Sequence, residues 1–600
     1  MLNDLACHRA AGRRRRDGSM EAGVAQPGIV VPHPDHPDSA RRARRHWEGG
    51  SRAERRPGAR LALLASLLIT MMMSLDVRAS DTAQDVGRSI YMHGALSTGE
   101  PLLADRQDGV HTQGGDAACV NCHQRSGLGT TEGKKSIPPI TGRYLFRPRA
   151  AQDTDLDLPY VEGIRADRDP YTDATLARAI REGLNSEGKP LDYLMPRFAL
   201  SDRDMAALIA YLKGLDRRTV PGVTPTVLHF ATIVTPDADP VKRRGMLDVL
   251  NQFFADKNAF LRGPSPRLLS THIVKFKVYR HWQLHLWELH GEPVTWQRQL
   301  ERHLAEQPVL AVISGLGGRT WQPIHAFCEK EALPCLFPNV EAPPAGADHD
   351  FYSLYFSQGV LLEARLIAHG ILNSHGGDVP KVVGQIYRVG DSGELAARAL
   401  AASLAQHGIT VRNHALAEGA PSGQSVAAAV RQAADADALV LWLRADDIAA
   451  LKGAPPPTGT VYMSGTLGGL ENAPLPANWR SDTDLAYPVG LPAQRLINLD
   501  FALGWFRIRK IPVVDLRVQA DTYLACGLVS EVLNRMVDTF VPDYLVERMQ
   551  EMTEHRIITG YYPRLSLATG QRFASKGGYL VRFADAQGSR LLADGGWQTP

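Results

Sequence analysis

Short apolar runs alternate with amphipathic helical runs from residue 227 onward, and this alternation limits the possible folds more than any other property of the sequence. Alternating strand and helix patterns of this kind are typical of βαβ units and parallel sheets. About 370 residues is too long for one simple sheet core, so we expect two α/β lobes. The predicted strands are LHFATIV (228–234), IVKFKVY (273–279), VLAVISG (309–315), KVVGQIY (381–387) and ALVLWLR (438–444).

The positive charge of the chain is concentrated at its N-terminus. The 600 residues carry a net charge of +3, yet residues 1–60 alone contain 13 Arg, no Lys and 7 Asp or Glu. The part that follows residue 79 is therefore slightly acidic. A nucleic-acid-binding domain would carry a basic surface, so this balance argues against such a partner.

An apolar stretch at 61–75, LALLASLLITMMMSL, follows several arginines and precedes Ala79. A positive flank, a short apolar run and a small residue at the cleavage position are typical of a secretory signal peptide. We expect cleavage after Ala79 and a periplasmic protein without a further transmembrane segment. The alternative is a retained N-terminal anchor. Residues 1–50 are rich in Arg, Pro and Gly, so we expect them to be disordered or to precede the true start.

The composition predicts four segments in the chain. Residues 1–79 form the basic segment and signal peptide, and residues 80–217 form a small domain rich in Gly and loops. Residues 218–226 contain two Pro and one Gly and predict a linker. Residues 227–600 form the two-lobed α/β domain.

The motif Cys119-Val120-Asn121-Cys122-His123 predicts covalent attachment of one haem c. Two thiols at this spacing can form thioethers with a haem, and the adjacent histidine can bind the iron. Half of a zinc site and a thioredoxin-like pair are the alternatives. No second C-x-x-C accompanies the motif, and no βαβ pattern surrounds it, so both alternatives are weaker.

Met195, in the segment Leu194-Met195-Pro196-Arg197-Phe198, is the predicted distal ligand of the haem iron. It precedes a predicted amphipathic helix at 200–215, capped by Ser201 or Asp202. A thioether opposite a histidine raises the reduction potential and suits electron transfer. The alternative distal ligands are Met92, His93, His111 and Met205.

The CVNCH motif, the later LMPRF and LSDRDMAALIAYLK together resemble a class I mono-haem cytochrome c over about residues 85–215. The resemblance implies a small all-α domain in which Cys119 and Cys122 attach haem and His123 and Met195 are its axial ligands. The span between the motif and the methionine is longer than in the family, which indicates an insertion around 145–170.

Residues 227–600 resemble type I periplasmic binding proteins, the group that includes branched-chain amino acid and amide receptors. The resemblance implies two lobes that close on a small ligand, with 351–371 crossing into the second lobe. The cleft lies at the carboxyl ends of the strands, where a serine or backbone N–H could bind a carboxylate and Glu341 an ammonium. The candidate ligand-binding residues are Ser314, Gly315, Asn339, Glu341, Tyr387, Arg388 and Arg444.

The remaining cysteines and a group of three histidines suggest a disulfide and a metal site, respectively. Cys328 and Cys335 are a candidate disulfide, because an oxidising periplasm permits one, whereas Cys526 is expected to be a buried apolar residue. A metal site at His281, His285 and His290 is disfavoured, since no carboxylate or cysteine completes the set. The alternative is a strand that runs into an irregular segment.

The sequence thus favours a periplasmic electron carrier coupled to a small-molecule-binding domain over an enzyme. Its expected redox partner is a dehydrogenase or another cytochrome. The alternatives are a haem-bearing subunit of a periplasmic dehydrogenase and a transport or sensing receptor with a redox appendage. One haem transfers one electron, so the chain alone is poorly suited to oxidise a two-electron substrate.

Overall fold

A computed structural model describes most of the chain beyond residue 82. The predicted signal peptide, the insertion around 145–170 for the most part, and the strand predicted at 273–279 lie outside the described residues. All described residues belong to one compact unit, residues 74–600. The described ranges are 83–132, 135–146, 168–215, 220–261, 280–344, 346–347, 350–373, 379–536, 539–553, 559–568, 570–587 and 590–600.

In its described residues the first domain combines five α-helices with short strands. Its helices are α1 (83–93), α2 (Val120–His123), α3 (Gly142–Leu145), α4 (Asp173–Glu182) and α5 (Asp202–Gly214). Its strands are β1 (Leu103–Asp105), β2 (His111–Gln113), β3 (Thr130–Glu132), β4 (Lys135–Ile137) and β5 (Arg197–Phe198).

The prediction of an all-α first domain is therefore wrong in detail. Strands β2, β1 and β5 form a small antiparallel sheet, and β3 pairs with β4. These strands are only two or three residues long, too short for an alternating pattern to be visible in the sequence. The predicted cap of α5 is present, because the Ser201 side chain accepts a hydrogen bond from the backbone N–H of Asp204.

The first lobe of the second domain has a five-stranded parallel sheet in the order β10-β9-β8-β6-β7. Its strands are β6 (Val227–Val234), β7 (His281–Glu288), β8 (Ala311–Ile313), β9 (Cys335–Leu336) and β10 (Ser353–Leu354). The helices between them are α6 (Pro240–Leu261), α7 (Trp296–Glu306) and α8 (Gln322–Lys330). A disulfide joins Cys328 on α8 to Cys335 on β9, with their Cα atoms 6.2 Å apart.

The second lobe has a seven-stranded sheet in the order β12-β11-β13-β14-β15-β16-β17. Its strands are β11 (Val382–Arg388), β12 (Thr410–Leu416), β13 (Ala438–Trp442), β14 (Thr460–Ser464), β15 (Thr483–Tyr487), β16 (Tyr579–Phe583) and β17 (Leu591–Ala593). The helices from the crossover to the end of β15 are α9 (Val360–Leu372), α10 (Ser392–Ala405), α11 (Ser422–Gln432), α12 (Ala445–Ala449), α13 (Gly465–Gly468) and α14 (Ala477–Arg480).

Three long helices follow β15 and pack on the first lobe. They are α15 (Pro492–Arg509), α16 (Leu516–Met536) and α17 (Pro542–Thr553). Helix α16 packs against α6 and α17, and Phe506 of α15 packs against Val249 of α6. The second lobe then resumes with β16 and β17, which pair antiparallel, so its sheet is mixed and not purely parallel as the βα alternation indicates.

Three segments connect the lobes: 355–359 after β10, 488–491 after β15, and the stretch around Phe573 before β16. The first and third are hydrogen-bonded to each other, since the N–H of Ala574 donates to the Tyr355 carbonyl at 3.0 Å. The second is held by a bond from the Gly490 N–H to the Tyr561 carbonyl at 2.8 Å. The two predicted α/β lobes are therefore confirmed. The segments that connect them are held by backbone hydrogen bonds.

The histidine-rich segment after residue 280 is a regular strand, which corrects the expected irregular structure. His281 and His285 lie on β7, and every residue of β7 has a partner on β6 in parallel register. Nδ1 of His229 on β6 lies 3.0 Å from Nε2 of His285 on β7. Trp282 and Trp287 lie on opposite faces of β7 and are buried in two different apolar clusters, so both faces of the strand contact the core.

Candidate functional site

The C-x-x-C-H motif forms the single helical turn α2. The backbone N–H of His123 donates to the Cys119 carbonyl at 2.9 Å, and the Asn121 side chain donates to the Gly115 carbonyl at 2.8 Å. Cys119 and Cys122 are not joined in a disulfide. Two thiols and an imidazole are thus placed on one turn.

The His123 side chain is held in one tautomer. The residue is 6% exposed, and Nδ1 lies 3.0 Å from the Pro138 carbonyl. A carbonyl oxygen only accepts, so Nδ1 carries the hydrogen and Nε2 is the nitrogen available to a metal. Burial lowers the pKa of His123 to about 4, against the opposing effect of the Pro138 hydrogen bond, so the imidazole is neutral at pH 7.

The haem motif borders the apolar core of the first domain. Cys119 and Val120 pack against this core, and so do Met92 and Met195. Burial raises the pKa of the Cys119 thiol to about 12. The cluster that they contact contains Ile90, Tyr91, Leu102, Leu176, Ile180, Phe198, Met205, Leu208 and Leu212.

The loop that carries Met195 is tied to the segment that supports His123. The Met195 N–H donates to the Asp192 carbonyl at 3.0 Å, and the Lys135 ammonium donates to the Asp192 carboxylate at 2.7 Å. Lys135 begins β4, which leads directly to Pro138. About half of each partner is exposed, so the ion pair contributes little stability, and its role is to align the two segments.

The alternative distal ligands occupy different surroundings. The His111 side chain is 79% exposed and pairs with Asp105 at 2.6 Å, and His93 is exposed. Met205 is buried in the core on α5, whereas Met92 and Met195 are partly buried at its edge. The structure therefore groups the three methionines, and not the histidines, with the apolar core beside the motif.

The residues present fit a covalently bound haem. Such a group needs two cysteines for thioether bonds, a neutral imidazole with a free Nε2, and an apolar surrounding. Cys119, Cys122 and His123 supply the first two requirements, and the first-domain core supplies the third.

A cleft of about 860 Å³ lies between the lobes of the second domain. Of the candidate ligand-binding residues, Asn339, Glu341, Arg388 and Arg444 line it. The other three candidates, Ser314, Gly315 and Tyr387, are described by the structure but are not on the cleft wall.

Ser314 lies behind the cleft wall, and its hydroxyl forms hydrogen bonds within the first lobe. Its Oγ is 3.1 Å from the Thr522 hydroxyl and accepts a hydrogen bond from Asn339 Nδ2 at 2.9 Å. The next residue, Gly315, has φ +125°, and a Cβ there would approach Trp321 to 2.8 Å. Ser314 therefore contacts α16 through Thr522, Gly315 makes room for Trp321, and neither lines the cavity.

Glu341 is not available as a simple ammonium site, because its carboxylate pairs with Arg444 across the cleft. The two Arg444 Nη atoms lie 3.0 and 2.6 Å from the carboxylate oxygens. Arg444 also pairs with Asp391, and Ser392 donates to Glu341 at 2.8 Å. Although burial acts to raise it, these contacts bring the pKa of Glu341 down to about 2. Arg388 is likewise engaged, with the Asp447 carboxylate.

The cleft wall also contains buried polar residues that the sequence analysis missed. Asp521 on α16 is 5% exposed; its Oδ2 accepts from the Tyr562 hydroxyl at 3.2 Å, and its Oδ1 has no hydrogen-bond partner. The Thr466 hydroxyl, from the opposite lobe, is also buried without a partner. Burial raises the pKa of Asp521 to about 7, and Arg517 opposes that effect. All four residues line the cavity.

The signal that could have identified Asp521 is weak. It is an acidic residue in the run Leu516–Met536, whose other buried positions are mostly apolar. An isolated carboxylate on the buried face of a helix needs a partner. In the sequence, nothing indicates that Thr466 and Tyr562 lie nearby.

Two further observations concern metals and membranes. Within the described ranges, no group of three or more His, Cys, Asp or Glu side chains could hold a metal ion. Among the helices in the same ranges, none is both long enough and apolar enough to cross a bilayer.

The family model of cytochrome c matches residues 113–216, so the chain contains a cytochrome c domain and the predicted resemblance is confirmed. No curated protein sequence matches the chain.

Solved structures are similar in fold to the larger part of the chain. A possible leucine/isoleucine/valine-binding protein from Rhodopirellula baltica SH 1 is 14% identical with a TM-score of 0.47, covering 63% of this chain and 98% of that one. A substrate-binding periplasmic protein from Ralstonia solanacearum is 13% identical with a TM-score of 0.46, covering 61% and 100%. A branched chain amino acid ABC transporter from Thermus thermophilus with bound valine is 9% identical with a TM-score of 0.45, covering 62% and 96%.

Proposed function

We propose that this chain is a c-type cytochrome that transfers single electrons and that is coupled to a small-molecule-binding domain. The observation that carries the proposal is the turn Cys119–His123. It presents two thiols and a buried neutral imidazole whose Nδ1–H is fixed by the Pro138 carbonyl. That arrangement leaves Nε2 as the ligating atom.

In this proposal Cys119 and Cys122 hold one haem covalently, and His123 and Met195 are its axial ligands. When bound, haem supplies a one-electron couple of its iron. The chain's own residues orient the imidazole through Pro138, exclude water with the core around Tyr91 and Leu208, and align the methionine loop through the Lys135–Asp192 pair.

The cleft binds a small polar ligand that carries a hydrogen-bond donor. The buried Oδ1 of Asp521 needs a donor, and a buried acceptor without one is costly. Thr466 can complete the ligand's hydrogen bonds from the other lobe, and Arg517 adds a positive charge to the cleft wall. A ligand that bridges Asp521 and Thr466 favours closure of the lobes.

The protein acts in the periplasm, and its redox partner is a dehydrogenase or another cytochrome. The signal-like segment at 61–75 supports export. The Cys328–Cys335 disulfide is consistent with an oxidising compartment.

Covalent haem is tested by expression with a c-type maturation system, followed by haem staining of a denaturing gel. We expect a stained band that survives extraction with acidified acetone and disappears when Cys119 and Cys122 are both changed to Ala. Cys526→Ala is the matched control, because Cys526 is buried on α16, away from the motif. Extractable haem, or staining that persists in the double variant, would contradict the proposal.

A further inference from the structure

The loop that follows the haem motif is anchored in the second domain by a buried carboxyl group. Glu547 on α17 accepts hydrogen bonds from the Ser126 N–H at 2.9 Å and from the Ser126 hydroxyl at 2.5 Å. Glu547 is 8% exposed and Ser126 5%. Two well-aligned hydrogen bonds to one buried carboxyl group fix the position of Ser126.

A backbone hydrogen bond connects this loop directly to His123. The N–H of Gly129 donates to the His123 carbonyl at 3.1 Å, and the Leu128 N–H donates to the Ser126 hydroxyl at 3.2 Å. Leu128 is buried in the large core cluster of the second domain. A displacement of Ser126 is therefore transmitted over a few backbone bonds to His123.

A second contact beside Ser126 strengthens the anchor. The Arg125 guanidinium lies 4.2 Å from the centre of the Phe351 ring, and its Nε is 3.4 Å from the Asp543 carboxylate. Asp543 also accepts from the Tyr352 hydroxyl at 2.9 Å. An ion pair, a cation–π contact and hydrogen bonds thus hold the loop that follows the haem motif against the first lobe.

The environment of Glu547 favours its neutral form. Burial raises the pKa of Glu547 to about 8, although the hydrogen bonds from Ser126 act to lower it. No basic side chain forms an ion pair with Glu547 among the contacts of the described residues. The groups that face it are Asp543 and Tyr544 on its own helix, and Ser126, the Arg125 backbone and Tyr91 from the first domain.

We propose that Glu547 is a positioning residue of the haem site, whose buried carboxyl holds the loop after His123 and takes up a proton when an external one-electron donor reduces the iron. With haem held by Cys119, Cys122 and His123, reduction would remove one positive charge beside the loop that Glu547 anchors, so the ionised carboxylate would become less stable and would take a proton from water. At pH values between the pKa of Glu547 with oxidised haem bound and its pKa with reduced haem bound, each electron would be accompanied by one proton, and the net charge of the site would be unchanged. This inference rests on the proposed haem function.

The test is a redox titration of the full-length, haem-loaded protein at a series of pH values on both sides of about 8. In the unmodified protein the midpoint potential should fall as pH rises, because ionised Glu547 stabilises the oxidised form. Glu547→Gln should abolish that fall over the same range while retaining the haem spectrum. Glu551→Gln is the matched control, because Glu551 lies on the same helix but is exposed and pairs with Arg548.

A second variant keeps the test decisive if Glu547→Gln does not fold. Ser126→Ala removes one hydrogen bond to the ionised carboxylate, so the pH range over which the potential falls should move upward. A profile of Ser126→Ala identical to that of the unmodified protein would overturn the inference, as would a fall with pH that persists in Glu547→Gln, and either result leaves the haem function intact. Loss of haem in acidified acetone, measured before the titration, would instead overturn the proposed function and this inference together.

Discussion

Glu341 and Arg444 form a bidentate ion pair across the cleft, joining the loop after β9 in the first lobe to the residues that follow β13 in the second. The pair holds the lobes together without a ligand. Arg444 is 44% exposed in its side chain, so solvent screens the pair and its contribution is about 1 kcal/mol.

We expect Glu341→Gln to open the cleft. A loss of about 1 kcal/mol changes the ratio of closed to open molecules roughly fivefold. Small-angle scattering of the ligand-free protein should show a larger radius of gyration. Asp435→Asn is the control, because it breaks an exposed ion pair with Arg412 that lies within the second lobe. An unchanged radius in Glu341→Gln would show that the ion pair does not hold the lobes together.

Asp521→Asn should remove a pH-dependent loss of stability. The folded-state pKa of Asp521 is raised to about 7, so its contribution is present below the unfolded value near 4 and is lost as pH rises to 7. The melting temperature of the ligand-free variant should therefore fall less than that of the unmodified protein between these pH values. Asp500→Asn, at an exposed position of α15, is the control and should follow the unmodified protein.

The same variant tests the cleft assignment. A ligand that donates a hydrogen bond to Asp521 should raise the melting temperature of the unmodified protein, by about 2.7 kcal/mol in free energy at a hundredfold excess over the dissociation constant. The response should be much weaker in Asp521→Asn. A full response in the variant would place the ligand elsewhere in the cleft.

Met195→Ala should eliminate the charge-transfer absorption between methionine sulfur and ferric iron and lower the reduction potential. Met92→Ala is the informative comparison, because Met92 also packs at the edge of the same core. If Met92→Ala, and not Met195→Ala, changes the spectrum and the potential, the distal ligand is Met92.

Removal of the disulfide should destabilise the first lobe. The cystine closes a loop with a sequence separation of 7, so its loss should cost about 2–3 kcal/mol in the chain-entropy account. Denaturant unfolding of Cys328→Ser/Cys335→Ser against the unmodified protein measures this difference. Equal midpoints would mean that the packing of α8 on β9 alone provides the stability of this region.

The haem motif could be found from the sequence because its functional atoms lie within five consecutive residues. The two-lobed architecture was also predictable, since the period of apolar residues reports strands and helices directly. The short strands β1 and β5 were not, because two or three residues carry no period. The strand predicted at 273–279 lies outside the described residues, and the sequence analysis did not predict β7 (His281–Glu288) as the regular strand that pairs with β6.

The cleft was predicted less well. Glu341 and Arg444 were expected to bind ligand separately, and their mutual pairing depends on how the lobes meet. Asp521, Thr466 and Tyr562 come from three distant parts of the chain. Their shared burial is a property of tertiary packing, which no local pattern of residues records.

The three connections between the lobes also determine when each lobe can be completed. The first lobe needs α16, which packs on α6 from far along the chain, and the second lobe needs β16 to cover β15. The first lobe therefore cannot be completed before α16, which ends at Met536, and the second cannot be completed before β16, which ends at Phe583. Contacts between such remote segments slow folding.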